Sequence, residues 1–126
     1  MPTWTSNKIH VSHKDPAFIS RLQDAKEGLF SSFIPPGDDD SIFWRSEHWG
    51  TKWDVKMKNV VVSSDGLTLG ADFRSAWGPP VNFYIHLQNM GFKVRATFAG
   101  ESGESGYFDE HGIHMKEISE ASNVHE

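Results

Sequence analysis

Cysteine is absent from the 126 residues. That excludes a disulfide framework, a thiolate zinc site and a cysteine nucleophile. It also frees the chain from any need for an oxidising compartment, which suits a cytoplasmic protein. Long apolar runs are missing too. None approaches the ~18 residues of a membrane-spanning helix, and residues 1–8 contain no hydrophobic signal core. No membrane partner is therefore expected. Positive charge is in deficit, with 12 Lys and Arg against 17 Asp and Glu, for a net charge of −5. That balance disfavours generic polyanion binding and leaves only a local basic face for such a role.

What the chain does have is aromatic bulk. Nine Phe and five Trp supply large buried areas per residue, enough for one compact core. Three of the tryptophans fall between residues 49 and 80. This stretch opens with Trp49-Gly50-Thr51-Lys52-Trp53-Asp54 and closes with Ala76-Trp77-Gly78-Pro79-Pro80. Tryptophans beside glycines and prolines mark a packed corner and a helix start.

Residues 7–13 alternate, with Ile9, Val11 and His13 on one side and Lys8, His10 and Ser12 on the other, which predicts a half-buried strand. Asp15-Pro16 then reads as a helix N-cap followed by proline at the first helical position. Phe18, Leu22, Ala25 and Leu29 recur at helical spacing, and Gly28 marks the end of a helix over 16–28. Residues 30–41 read as a loop, anchored by Phe30, Phe33 and Ile34 and turned by Pro35-Pro36-Gly37. Residues 42–49 fit either a short helix capped by Asp40 or Ser41 or an extended segment. A second strand is expected over 55–63, with Val60-Val61-Val62 signalling a bulge or two-sided burial. Ser64-Asp65-Gly66 is a hairpin turn. A third strand follows over 67–74, a second helix over 79–90 ended by Gly91, and a fourth strand over 92–99. Tyr107 and Phe108 belong to a returning fifth strand. Apolar content collapses after residue 115, so the domain is expected over 1–115, with a flexible acidic tail over 116–126. The order is that of an α+β, ferredoxin-like βαββαβ antiparallel sheet, with two helices on one face and an added C-terminal hairpin strand.

The opening Met1-Pro2-Thr3-Trp4-Thr5-Ser6-Asn7, the Trp49-Gly50-Thr51-Lys52-Trp53-Asp54 string, the Ala76-Trp77-Gly78-Pro79-Pro80 helix start and Phe98-Ala99-Gly100 together resemble the YubB-like, Api-type proteins of phages and plasmids. The resemblance runs from residue 1 to about 112. It departs at Thr5, where the family usually has Cys, and between the first helix and Ile42, where this chain looks shortened. It implies a ferredoxin-like domain, a mobile-element origin and residence in the cytoplasm of a host cell. It implies no enzymatic activity to transfer.

Candidate sites are few. Trp49, Trp53 and Trp77 suit a ligand pocket, but packing at the glycine- and proline-rich corner explains them more simply. Lys52-Trp53-Asp54 reads as a local charge pair. His111 and His114 are three apart beside Asp109 and Glu110, but Gly112 argues against the helix that would let them share a metal. His10, His13 and His48 are scattered, His48 beside Glu47 reading as a surface or capping contact, and His86 has no carboxylate partner fixed by spacing. No nucleophile elbow and no phosphate-cradling glycine loop is present. The acidic runs, Asp38-Asp39-Asp40 and Glu101 with Glu104, lack alternating calcium-ligand spacing and read as solvated loops. No cofactor, no metal and no catalytic residue is expected.

Alternation does assemble one surface. A sheet with helices on one side would carry Lys8, His10 and Ser12, then Lys56 and Lys58, then Thr68, Asp72 and Arg74, then Lys93, Arg95 and Thr97 on the other. This is either an ordinary solvated face or an anion-binding or partner-binding surface, nucleic acid being one candidate although the face offers no exposed aromatic for base stacking. The expected function is a non-enzymatic interaction module of a mobile element that binds a host or defence-system protein, an anti-CRISPR-like inhibitor being one form. In that role the acidic loops could mimic nucleic-acid charge. The alternative is nucleic-acid binding through Lys8, His10, Lys56, Lys58, Arg74, Lys93 and Arg95. The oligomeric state is not fixed by the sequence.

Overall fold

A computed structural model describes residues 4–25, 28–38, 41–51 and 53–116. Strand β1 (Trp4–Ser12) alternates strictly: Thr5, Asn7, Ile9 and Val11 are buried, and Ser6, Lys8 and His10 are exposed. Its two neighbours are β3 (Thr68–Ala76) and β4 (Lys93–Gly100), both antiparallel to it. Strand β2 (Lys58–Val62) pairs with the outer side of β3. Strands β5 (Ser105–Asp109) and β6 (Gly112–Lys116) extend the sheet beyond β4. The result is one six-stranded antiparallel sheet in the order β2-β3-β1-β4-β5-β6.

Among the described residues four helices cover the apolar face of the sheet: α1 (Pro16–Asp24), α2 (Leu29–Phe33), α3 (Ile42–Trp49) and α4 (Val81–Asn89). Ile9, Val11, Leu69, Phe73, Val94 and Phe108 from the strands share one core with Leu22, Phe30, Trp49, Phe83 and Leu87 from the helices. Phe30 sits at its centre, against Phe73, Phe83 and Trp49 at ring-centroid distances of 4.8–6.0 Å. The described helices and strands thus form a mixed α+β fold. None of the described helices is long and apolar enough to cross a membrane.

Several elements differ from the sequence expectation. Helix α1 stops at Asp24, capped at Ala25, before Gly28. Part of the expected 30–41 loop is helix α2. Its N-terminus is capped from a distance: the Asp54 carboxylate accepts the Phe30 amide at 2.6 Å and the Ser31 amide at 3.1 Å. Asp54 is therefore a helix cap as well as a neighbour of Lys52, which itself lies outside the described residues. The open alternative for 42–49 resolves as helix, because the Ser41 hydroxyl accepts the Trp44 amide. Strand β2 starts only at Lys58. Upstream, the Val55 carbonyl takes the Leu29 amide rather than a ladder partner. The expected bulge falls between Lys58 and Val61, with Asn59 at φ +54. Strand β6 was not expected. Its apolar residues Ile113 and Met115 are exposed, so backbone pairing with β5 carries it and core burial does not. Residues 117–126, the rest of the expected tail, lie outside the described residues.

The two tryptophan-bearing strings meet. Gly50 is the left-handed C-cap of α3 at φ +84, and its α-carbon lies against the start of α4. A Cβ there would stand 2.9 Å from the Asn82 amide nitrogen. The Thr51 hydroxyl donates to the Ala76 carbonyl at 2.7 Å. Trp49 is buried, and its indole N–H donates to the Ile34 carbonyl at 2.9 Å. Trp53 is half-buried and packs on Trp4 at 5.8 Å. Trp77 breaks the expectation of corner packing: it is 62% exposed at φ +70, while Gly78-Pro79-Pro80 leads into α4 at Val81. The helix is shorter than the 79–90 expected, and Ile85 of its expected stripe is exposed.

Beneath the N-terminal half of β1 lies a polar patch in the core. Asn7 donates to Ser75 Oγ at 2.9 Å, and the Tyr84 hydroxyl reaches Asn7 Oδ1 at 3.4 Å. Burial drives the Tyr84 phenol well above its ordinary value. Thr5, beside them, is buried and its hydroxyl has no hydrogen-bond partner among the described residues.

Candidate binding surface on the open sheet face

The face opposite the helices is set by strand parity and register. One cross-strand row runs Lys58, Asp72, Lys8, Thr97, Tyr107, His114 from β2 to β6. The next row places His10 beside Arg95. Further along lie Ser12 and Lys93, and on the other side Ser6 and Arg74. The structure thus brings Lys8, His10, Lys58, Arg74, Lys93 and Arg95 onto one surface, as alternation predicted. Lys56, exposed just before β2, borders the same surface.

Acidic groups interleave with these cations. Asp72 stands between Lys8 and Lys58 and accepts from the Asn59 amide at 3.0 Å. Glu101 accepts the Trp4 backbone N–H at 2.9 Å and faces Arg74 at 3.5 Å. Glu110 faces Arg95 at 3.8 Å. Both arginine pairs are more than 45% exposed on each side and so contribute little to stability. Glu101 therefore belongs to the basic face rather than to a separate acidic surface. Glu104 lies in the same β4–β5 turn, with its carbonyl accepting the Gly100 N–H at 2.8 Å. Asp38 is exposed in the loop after α2, while Asp39 and Asp40 lie outside the described residues.

Two adjoining depressions on this surface share a border. One, of ≈710 Å³, lies between β2 and β4 and is bordered by Lys8, Lys58, Asp72 and Arg74. The other, of ≈440 Å³, is bordered by Lys8, His10, Arg95, Thr97 and Tyr107. Lys8 and Thr97 line both.

Tyr107 corrects the expectation that this face lacks an aromatic. It is 49% exposed, and its neighbour Phe108 is buried against Tyr84 at 5.1 Å. The signal was present in the sequence: once Phe108 faces the core, period-two alternation sends Tyr107 to the open side. Tyr107 stacks on His114, with ring centroids 4.5 Å apart and planes 18° from parallel. His114 Nε2 meets Asp109 Oδ1 at 3.1 Å, and the same oxygen accepts the His111 backbone N–H at 2.8 Å. These contacts, the His111 N–H foremost, hold the Asp109 carboxyl below its ordinary value. The His111 and His114 spacing thus serves a β-turn and an edge strand. Among the described residues no group of three or more His, Cys, Asp or Glu is placed to hold a metal ion.

The other histidines are elsewhere. His13 stacks on Phe18 at 4.1 Å, accepts the Asp15 N–H at Nδ1 and donates from Nε2 to the Met90 carbonyl, both at 2.9 Å. His48 stacks on Trp44 within α3. The chain was compared with protein-family models, with curated proteins and with solved structures, and none of the three gave a match.

Proposed function

We propose that this protein is a non-catalytic binding module whose working surface is the open sheet face, and that the ligand class is nucleic acid. The observation that carries the reading is the joining of two depressions at Lys8, with Lys58 bordering the larger, His10 and Arg95 the smaller, and an exposed tyrosine on the margin of the smaller; Lys93 lies further along the same face beside His10 and Arg95. Phosphates supply a regular anionic row that such cations can meet, and counterion release makes that contact favourable even on a protein of net negative charge. The test is fluorescence anisotropy with a labelled oligonucleotide at low salt. Reversal of Lys8, Lys58, Lys93 and Arg95 to Glu should abolish binding. In the wild type, log affinity should fall against log salt with a slope near −3 for about four phosphate contacts on a single strand. No binding at low salt would overturn the reading.

A protein partner is the second reading, favoured by Phe43 on α3, which is 89% exposed, and by exposed Trp77. In that form the protein is a mobile-element product acting in the host cytoplasm on a host or defence-system protein, with anti-CRISPR-like inhibition as one case. Affinity capture with and without nuclease separates the two: a discrete protein that survives nuclease favours the second. We further assign β1 to β4, in the spatial order β2-β3-β1-β4, to the ferredoxin-like βαββαβ arrangement. Strands β5 and β6 are then the added hairpin, and the resemblance to the YubB-like, Api-type proteins is consistent with that assignment.

A further inference from the structure

We propose that Tyr107 is a base-stacking platform, so that the preferred ligand of the open face is a single strand with accessible bases. This rests on the nucleic-acid reading above and adds the part of the ligand that is read.

The argument begins with what surrounds the ring. On β6, His114 stacks against Tyr107 and is itself tied to Asp109. A side chain with few rotatable bonds, held by a neighbour, costs little further entropy when a ligand stacks on it. On β4, the cross-strand neighbour is Thr97. Beyond it on β1 stands Lys8. Strands lie about 4.8 Å apart, so Lys8 and Tyr107 rise from the sheet roughly 10 Å from one another with only a short side chain between them. The ≈440 Å³ depression occupies this gap, bordered also by His10 and Arg95. An aromatic base set over Thr97 would meet the tyrosine ring on one side. Its 5′ or 3′ phosphate would fall among Lys8, His10 and Arg95. Among the described residues Arg95 meets an acidic group in the exposed 3.8 Å contact with Glu110, which a phosphate can displace.

Charge alone does not require this. Lysines on a sheet face attract duplex and single strand alike, and a duplex hides its base faces in its own stack. An aromatic ring beside the cations is the feature that distinguishes the two, because every unpaired base offers a π-face.

The experiment uses the full chain and three labelled probes: a 12-nucleotide oligo(dT), the same length of abasic strand, and a 12-base-pair duplex. Wild-type protein should prefer oligo(dT) to the abasic strand by about 5- to 150-fold, the range expected for loss of one stacked base. Tyr107→Leu should lose that preference while keeping the salt slope, and Tyr107→Phe should retain it. If wild-type protein binds none of the probes, the nucleic-acid reading itself falls and the platform with it. If it binds through Lys8 and Arg95 but treats oligo(dT) and the abasic strand alike, the platform falls and the electrostatic reading stands. The abasic comparison needs no substitution, so it decides the matter even if Tyr107→Leu folds poorly.

Discussion

Gly50→Ala isolates the contact on which the tryptophan-bearing corner is built. The residue sits at φ +84, where an L side chain costs about 1–2 kcal/mol. Its Cβ would also stand 2.9 Å from the Asn82 nitrogen, 3.0 Å from the Val81 nitrogen and 3.3 Å from the Pro80 carbonyl carbon. All three are backbone atoms at the start of α4 and cannot swing away, so α3 and α4 must separate. Overpacking of this kind costs a further ~1–3 kcal/mol. Together the two effects amount to roughly 2–5 kcal/mol, a large share of the ~5–15 kcal/mol by which a domain is stable. Gly37→Ala is the control. It has φ +64 with nothing within 4 Å of the added methyl, so it carries the backbone cost alone. Urea unfolding of both variants, followed by tryptophan fluorescence, reads the difference. Gly50→Ala should be weaker than Gly37→Ala by at least ~1 kcal/mol, equivalent to several degrees in the thermal midpoint. Equal destabilisation by the two would refute the close approach of α3 to α4.

Asp54→Ala should cost about 1–2 kcal/mol, because it strips the cap from the Phe30 and Ser31 amides; amide exchange should rise first in Leu29–Phe33. Thr5→Val should leave stability unchanged or raise it by about 1 kcal/mol in the same urea assay, since it removes a buried hydroxyl without a partner and keeps the shape. The depressed Asp109 carboxyl stabilises the folded chain fully above its ordinary value of 3.8, and that contribution is lost as pH falls below it toward the folded value. Asp109→Asn should therefore flatten the acid limb of stability against pH below about 4 and leave the neutral region's slope alone.

The strands were legible because their two faces are chemically distinct. Ile9, Val11, Leu69, Phe73 and Val94 alternate with polar residues, so period and side could both be assigned. The basic face followed from the same alternation. Helix α2 was not legible, because five residues carry no full turn pattern and the capping carboxylate, Asp54, lies more than twenty residues away in the chain. Strand β6 was hidden for the opposite reason: its apolar residues do not enter the core, so no burial pattern announces it. Trp77 misled because a tryptophan among glycine and prolines resembles a packed residue, whereas at φ +70 its side chain is directed outward. Tyr107 was overlooked although Phe108 fixed its side of the sheet. The depressions could not be foreseen, since they depend on how side chains from strands distant in sequence stand beside one another.

The central position of β1 has a consequence in time. Its ladder partners are residues 68–76 and 93–100, so the earliest-made strand of this sheet is bonded on both sides by strands made much later. At 5–20 residues per second a ribosome takes roughly 4–18 s to travel from Ser12 to Gly100. Through that interval the apolar side of β1 waits without its sheet. Refolding in vitro faces the same delay as a search, because such distant pairings must close large loops before any of them is rewarded. The β5–β6 hairpin, whose partners adjoin in sequence, needs no such wait. The order of assembly is thus set by connectivity: β1, the oldest strand of the sheet, is paired on both sides only once β4 has been made.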